Sequence, residues 1–158
     1  MGLAISSIGI QIKYAAETTA KTRPTTGYKV IPDIKSLPDF NPEPDTIETT
    51  TFSNLEYKTY IDGLKDIGGS LAFSANLTNE LYTAWHGDSG VMETYETAKE
   101  GDKAVWLCID IPDLDNALYF TFIPSAIGLT ATETNALLET ELHMTPTGEI
   151  EWAAKPTA

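Results

Sequence analysis

Alternation of apolar with polar residues is the feature that most constrains this chain. A period of two sends successive side chains to opposite faces of a strand and so gives a sheet with one buried and one wet face. Ile8, Ile10, Ile12 and Tyr14 alternate with Gly9, Gln11 and Lys13, and Leu71, Phe73, Ala75 and Leu77 with Ala72, Ser74 and Asn76. Val105, Leu107, Ile109 and Ile111 line one face of a strand whose other face holds Trp106 and Cys108. Leu118, Phe120 and Phe122 alternate with Tyr119, Thr121 and Ile123 until Pro124. Between these last two strands, Pro112-Asp113-Leu114-Asp115-Asn116 is rich in turn formers, which predicts an antiparallel hairpin. Leu138, Thr140, Leu142 and Met144 oppose Glu139, Glu141 and His143, and Thr147-Gly148 is read as a turn toward Ile150 and Trp152.

The period changes between Thr78 and Gly101. Leu81 pairs with Trp85, and Val91 or Met92 with Tyr95 and Ala98, at helical spacing. This predicts a helix near 89–100, capped by Asp88 or Ser89 and closed by Gly101, with a short turn before it at 79–86. The expected fold is mainly β: a β-sandwich or small barrel with one flanking α-helix. The 158 residues suit a single domain over 1–158. Three stretches fall outside the alternation: a polar arm at 15–27, an extended loop at 36–45 holding Pro38, Pro42 and Pro44, and a long loop at 53–66.

Charge excludes one class of partner. Ten Lys and Arg against 23 Asp and Glu leave −13 at pH 7, so binding to a phosphate backbone by counterion release is not expected. The charge is uneven. Residues 1–35 carry five bases and two acids (+3), residues 39–66 two and seven (−5), and residues 67–158 three and fourteen (−11). A basic front end on an acidic body is complementary to another copy of itself. No apolar run approaches the roughly 20 residues of a membrane helix. The first residues lack a basic and then apolar leader, so no secretory signal is expected. One cysteine, Cys108, allows no intrachain disulfide and fits a reducing cytosol.

Catalytic and metal patterns are weak. Gly87-Asp88-Ser89-Gly90 copies the surroundings of a serine-protease nucleophile, but Val91 stands where an oxyanion-hole glycine would follow, and neither His86 nor His143 has a partner signature. Two histidines and one cysteine make no recognised zinc set. Asp110, Asp113 and Asp115 cluster at a hairpin turn without an EF-hand pattern. Catalytic, cofactor and metal residues are therefore expected to be none. Asn76-Leu77-Thr78 is a glycosylation sequon, expected to be silent without a secretory signal.

An ordered set of motifs carries a resemblance. Ile31-Pro32-Asp33-Ile34 precedes the proline-rich loop, then Glu43-Pro44-Asp45-Thr46-Ile47-Glu48-Thr49-Thr50-Thr51. Tyr57-Lys58-Thr59-Tyr60-Ile61-Asp62-Gly63-Leu64-Lys65-Asp66 and the Gly69-Ser70-Leu71-Ala72-Phe73 strand follow, then a helix, a strand from Trp106 to Pro112 and two more strands. In this order the chain resembles the major tail protein, or tail tube protein, of phages with long non-contractile tails. Ser53-Asn54 and Asp62 depart from the family pattern. The resemblance implies a tail-tube domain, six copies per ring, and rings stacked into a hollow tube that conducts the genome. It implies contacts with the tail terminator and tail-tip or baseplate proteins, DNA passing without specific binding, no membrane partner, no enzyme activity and no cofactor. The location implied is the phage tail of the virion, assembled in the host cytoplasm.

Within that frame Leu55, Tyr57, Tyr60, Ile61 and Leu64 are expected to supply apolar area between rings. Lys13, Lys21 and Arg23 are expected to meet acidic residues of a neighbouring subunit, and Glu139 and Glu141 to face the lumen. The alternatives are a non-catalytic carbohydrate- or ligand-binding β-sandwich module, a small hydrolase built on His86 and Ser89, and a contractile-tail tube, secretion-system ring or tail terminator of the same fold.

Overall fold

A computed structural model of the chain describes residues 8–39, 43–49, 51, 60–66 and 70–157, and for 43–46 and 60–66 the backbone alone. In chain order the elements are β1 (Gln11–Ala16), β2 (Lys29–Val30), β3 (Ile34–Ser36), β4 (Glu43–Glu48), β5 (Tyr60–Asp66), β6 (Leu71–Asn76), α1 (Asn79–His86), α2 (Val91–Glu100), β7 (Val105–Asp110), β8 (Asn116–Pro124), β9 (Glu139–Pro146) and β10 (Glu151–Ala154). They fall into two compact units, Met1–Pro38 with Ser70–Ala158, and Asp39–Gly69.

The larger unit is one curled eight-stranded sheet in the order β2-β1-β7-β8-β9-β6-β3, with β10 also on β8. Every pairing in it is antiparallel, and register sets which residues share a face. Tyr14 stands opposite Leu107, Leu107 opposite Phe120, and Phe73 opposite Leu142, so the alternating residues of five strands line one surface. Leu81 and Trp85 of α1 and Val91 and Ala98 of α2 complete the same core, with α2 packed on β1, β7 and β8. Phe73, Trp85, Leu107, Phe120 and Leu142 are wholly buried, each side chain worth about 1.5–3 kcal/mol of transfer free energy.

β8 meets β7 along one edge and both β9 and β10 along the other. The expected turn at Thr147-Gly148 is instead a two-residue offset in one continuous run: Pro146 pairs with Phe122, the Thr147 N–H donates to the Thr121 carbonyl at 3.0 Å, and Glu151 pairs with Tyr119. The smaller unit is the antiparallel pair β4–β5, with its register shift between Pro44 and Thr46.

Other expectations change in detail. The first strand starts at Gln11, because Gly9 sits at φ +84° in a turn and leaves Ile8 84% exposed. β4 takes in residues 43–45 of the expected 36–45 loop, and β5 takes 60–66 of the expected 53–66 loop. The short turn expected at 79–86 is a full helix, N-capped by Thr78, whose Oγ1 accepts the Leu81 N–H at 3.1 Å. α2 is capped by Gly90, not by the Asp88 or Ser89 side chain, and the Glu93 carboxylate reaches back to the Ser89 N–H at 3.1 Å.

Gly87 and Gly90 make the elbow between the helices possible. A Cβ at Gly90 would stand 2.8 Å from the Ala84 carbonyl oxygen and 2.9 Å from that of Gly87, both rigid backbone. Gly90→Ala is therefore expected to lower unfolding stability by about 1–3 kcal/mol. Gly128→Ala, with nothing within 4 Å of the added carbon, should change it by less than about 0.5 kcal/mol. Urea titrations of the two variants check the contrast.

Candidate functional site

The protease-like tetrapeptide spends its polar groups on the helix elbow. Ser89 is left-handed (φ 57°), and its carbonyl accepts from Tyr14 Oη at 3.0 Å, Lys29 Nζ at 3.4 Å and Thr94 Oγ1 at 3.4 Å. Burial raises the Tyr14 hydroxyl above its ordinary range. His86 Nε2, the lone pair a general base would use, accepts the Ile127 N–H at 3.0 Å. Asp110, the first of the three clustered aspartates, is ion-paired to Lys13 at 3.2 Å and to Lys155 at 3.0 Å. Among the described residues no group of three or more His, Cys, Asp or Glu is placed to hold a metal ion. Trp85 is wholly buried, Trp106 partly buried and Trp152 55% exposed, each on its own element, so these three form no exposed aromatic row.

The expected assembly residues fall on several surfaces. Lys13 pairs with Asp110 on β7, and Arg23 with Glu151 on β10. These acidic partners lie in the same chain, where the sequence pointed to a neighbour. Lys21 is exposed at φ 63°. Tyr60, Ile61 and Leu64 lie on β5, with Tyr60 in register with Glu48 and Ile61 with Ile47, which is 53% exposed. Leu55 and Tyr57 lie outside the described residues.

Glu139 and Glu141 share the wet face of β9 with His143. Glu139 pairs with Lys35, and Glu141 stands 3.5 Å from His143 Nε2. Opposite them on β6 are Asn76, Ser74 and Ala72, so this surface is acidic with small polar neighbours.

Two features had no sequence signal. One is a concavity of about 550 Å³ whose apolar lining comes from Ile10, Ile12, Val30, Ile31, Ile34 and Leu37, beside the sheet-ending strands β2 and β3. Val30 is 48% and Leu37 38% exposed there. The other is Glu17, only 6% exposed. Its Oε1 accepts from Ala104 N at 2.8 Å and Lys21 N at 3.1 Å, and its Oε2 from Trp106 Nε1 at 3.1 Å. Burial pushes this carboxyl up, but the three donors and the Lys103 charge together outweigh it and hold it below the ordinary glutamate range. A glutamate just past a strand end looks like any surface acid in a sequence.

Comparison with solved structures then fixes the fold. Over 98% of this chain and 98% of the other, it superposes on a chain of the anti-feeding prophage baseplate, from a 6-fold symmetrised cryo-EM structure, at TM-score 0.62 and 10% identity. A chain from the tail of an empty gene transfer agent particle, refined with C6 symmetry, gives TM-score 0.56 and 15% identity over 96% of this chain and 100% of that one. A chain of the sheath/tube terminator of an extracellular contractile injection system, in its extended state, gives TM-score 0.59 and 10% identity over 97% and 99%. The chain has the tail-tube fold. The likeness includes a contractile system, so the fold does not single out the long non-contractile tails that the sequence resembles. No protein-family model and no curated protein matches the sequence.

The larger unit carries a defined acid sensitivity. A carboxylate held below its unfolded value stabilises fully above the ordinary range near pH ~4, and that stabilisation is lost as pH falls through the depressed folded value. Glu17 belongs to this class, as does Asp110, where burial raises the carboxyl and Lys155 and Lys13 more than offset it. Glu17→Gln is expected to lower stability at pH 7 by about 1–3 kcal/mol and to flatten the loss below pH ~4. Urea midpoints measured across the acid range test both.

Proposed function

We propose that this chain is a structural virion protein that polymerises as stacked hexameric rings into the tube of a long non-contractile phage tail, the conduit for genome delivery. The observation that carries the reading is the match of the whole fold, along nearly its full length, to chains from tail and injection assemblies of six-fold symmetry. Its partners are further copies of itself, a tail terminator, and tail-tip or baseplate proteins. It acts without catalysis or cofactor, in the virion tail, after assembly in the host cytoplasm.

Three physical features support this role. Strands β2 and β3 end the sheet, with Val30 on β2 and Leu37 just after β3 both exposed, which favours association over a solitary life. The wet face of β9 offers Glu139 and Glu141 as a lumen wall that repels phosphates. β5 supplies Tyr60, Ile61 and Leu64, together with Leu55 and Tyr57, as the apolar contact between rings. A second reading, a terminator that stops at one ring, is favoured by the match to a chain of a sheath/tube terminator.

Light scattering on concentrated protein tests the role. The wild type is expected to grow past one ring, whereas Tyr60→Asp should keep the wild-type circular dichroism spectrum and remain monomeric. Loss of folding in Tyr60→Asp would count against the inter-ring assignment, and growth halted at one ring in the wild type would favour the terminator.

Lumen polarity has its own test. Glu139→Lys combined with Glu141→Lys exchanges four units of charge per subunit. The double variant should still assemble but retain double-stranded DNA at low salt and release it as salt rises. Assembled tubes that ignore DNA in both forms would place the β9 face elsewhere.

A further inference from the structure

Residues 17–28 cross the outer face of β7, β8 and β10, and among the described residues they are held at two points by backbone bonds, the Glu17 N–H to the Ala104 carbonyl at 2.9 Å and the Thr157 N–H to the Thr25 carbonyl, and otherwise by side chains. The Glu17 carboxylate holds one end through Ala104, Trp106 and Lys21. Arg23 pairs with Glu151 and stacks with its guanidinium carbon 4.6 Å from the centre of the Tyr119 ring. The Tyr28 ring lies 6.0 Å from that of Tyr119, and Thr25 accepts the Thr157 N–H at 2.9 Å. Beneath this crossing lie Cys108, Ala117 and Tyr119, all buried and packed against Tyr28, Trp106 and Ala153.

Polar side chains thus cover an apolar patch, with few apolar contacts of their own. Thr18, Thr19, Ala20, Lys21, Thr25 and Thr26 are exposed. Backbone pivots lie within the segment, Lys21 at φ 63° and Gly27 at φ 82°. Beyond the buried Glu17 anchor the attachments are partly solvated, as at the Arg23–Glu151 pair, and a segment with few buried apolar contacts opens at lower free energy than the core around it. We propose that residues 17–28 are a detachable strap that opens as a unit ahead of global unfolding and uncovers Cys108 and the apolar patch around it.

The single cysteine makes the opening readable. Cys108 is wholly buried, and burial pushes its thiol up to about 11, so the closed form offers a reagent neither access nor thiolate. Labelling by N-ethylmaleimide at pH 7.5, at reagent levels where the rate is proportional to concentration, reports the open fraction relative to the same protein unfolded in urea.

In the wild type, labelling should exceed what global unfolding allows by about tenfold or more, with only a weak urea dependence below the midpoint. Arg23→Ala, which removes an ion pair and a cation–π contact, should speed labelling about five- to tenfold. Glu17→Gln should also speed it, after correction for its own global stability. Lys35→Ala, which breaks the ion pair to Glu139 on another part of the sheet, should leave it at the wild-type rate. Wild-type labelling that tracks global unfolding with its full urea dependence would overturn the proposal. So would Lys35→Ala accelerating it as much as Arg23→Ala.

Discussion

The β7–β8 hairpin carries large side chains on both of its faces, and a two-stranded ribbon cannot bury both by itself. Val105, Leu107, Phe120 and Phe122 point one way, and Trp106, Cys108 and Tyr119 the other. The first face is closed by α1, α2 and the flanking strands, through Trp85, Val91, Tyr14 and Leu142. The second is covered by the segment that links β1 to β2, with Tyr28 and Arg23 over Tyr119. The order of the chain follows from this demand. The first strand lies on one side of the hairpin and the last strand on the other, and Lys13, Asp110 and Lys155 join both to it in one charged cluster.

Strands that alternate strictly and bury one face were legible, because for them the sequence period is also the period of burial. β6, β7, β8 and β9 appear close to where Phe73, Leu107, Phe120 and Leu142 place them. The 60–66 strand was hidden because its partner β4 shifts register between Pro44 and Thr46, which breaks the alternation opposite Gly63 and Leu64. β2 and β3 have two and three residues, too few for any period to show. α1 was underestimated because only Leu81 and Trp85 mark its buried stripe.

For the residues proposed to serve assembly, the sequence indicated chemistry but not address. Glu139 and Glu141 are on one wet face as alternation required. Lys13 and Arg23 are basic as read, yet each has an acidic partner in its own chain, and charge counts cannot tell an internal pair from an external one. Glu17 escaped notice because its role depends on three donors, two of them from residues nearly ninety positions away. The resemblance in motif order and the structural comparison agree on the tail-tube fold, and that fold is shared by contractile systems as well.

Everything proposed for this chain depends on its self-assembly, which electron microscopy of the concentrated, negatively stained protein makes visible. Hollow tubes with a six-fold end view are expected, built from stacked rings of this chain alone or seeded by a tail-tip complex. A particle that stays monomeric at high concentration, and that adds no rings when such a complex is supplied, would contradict it.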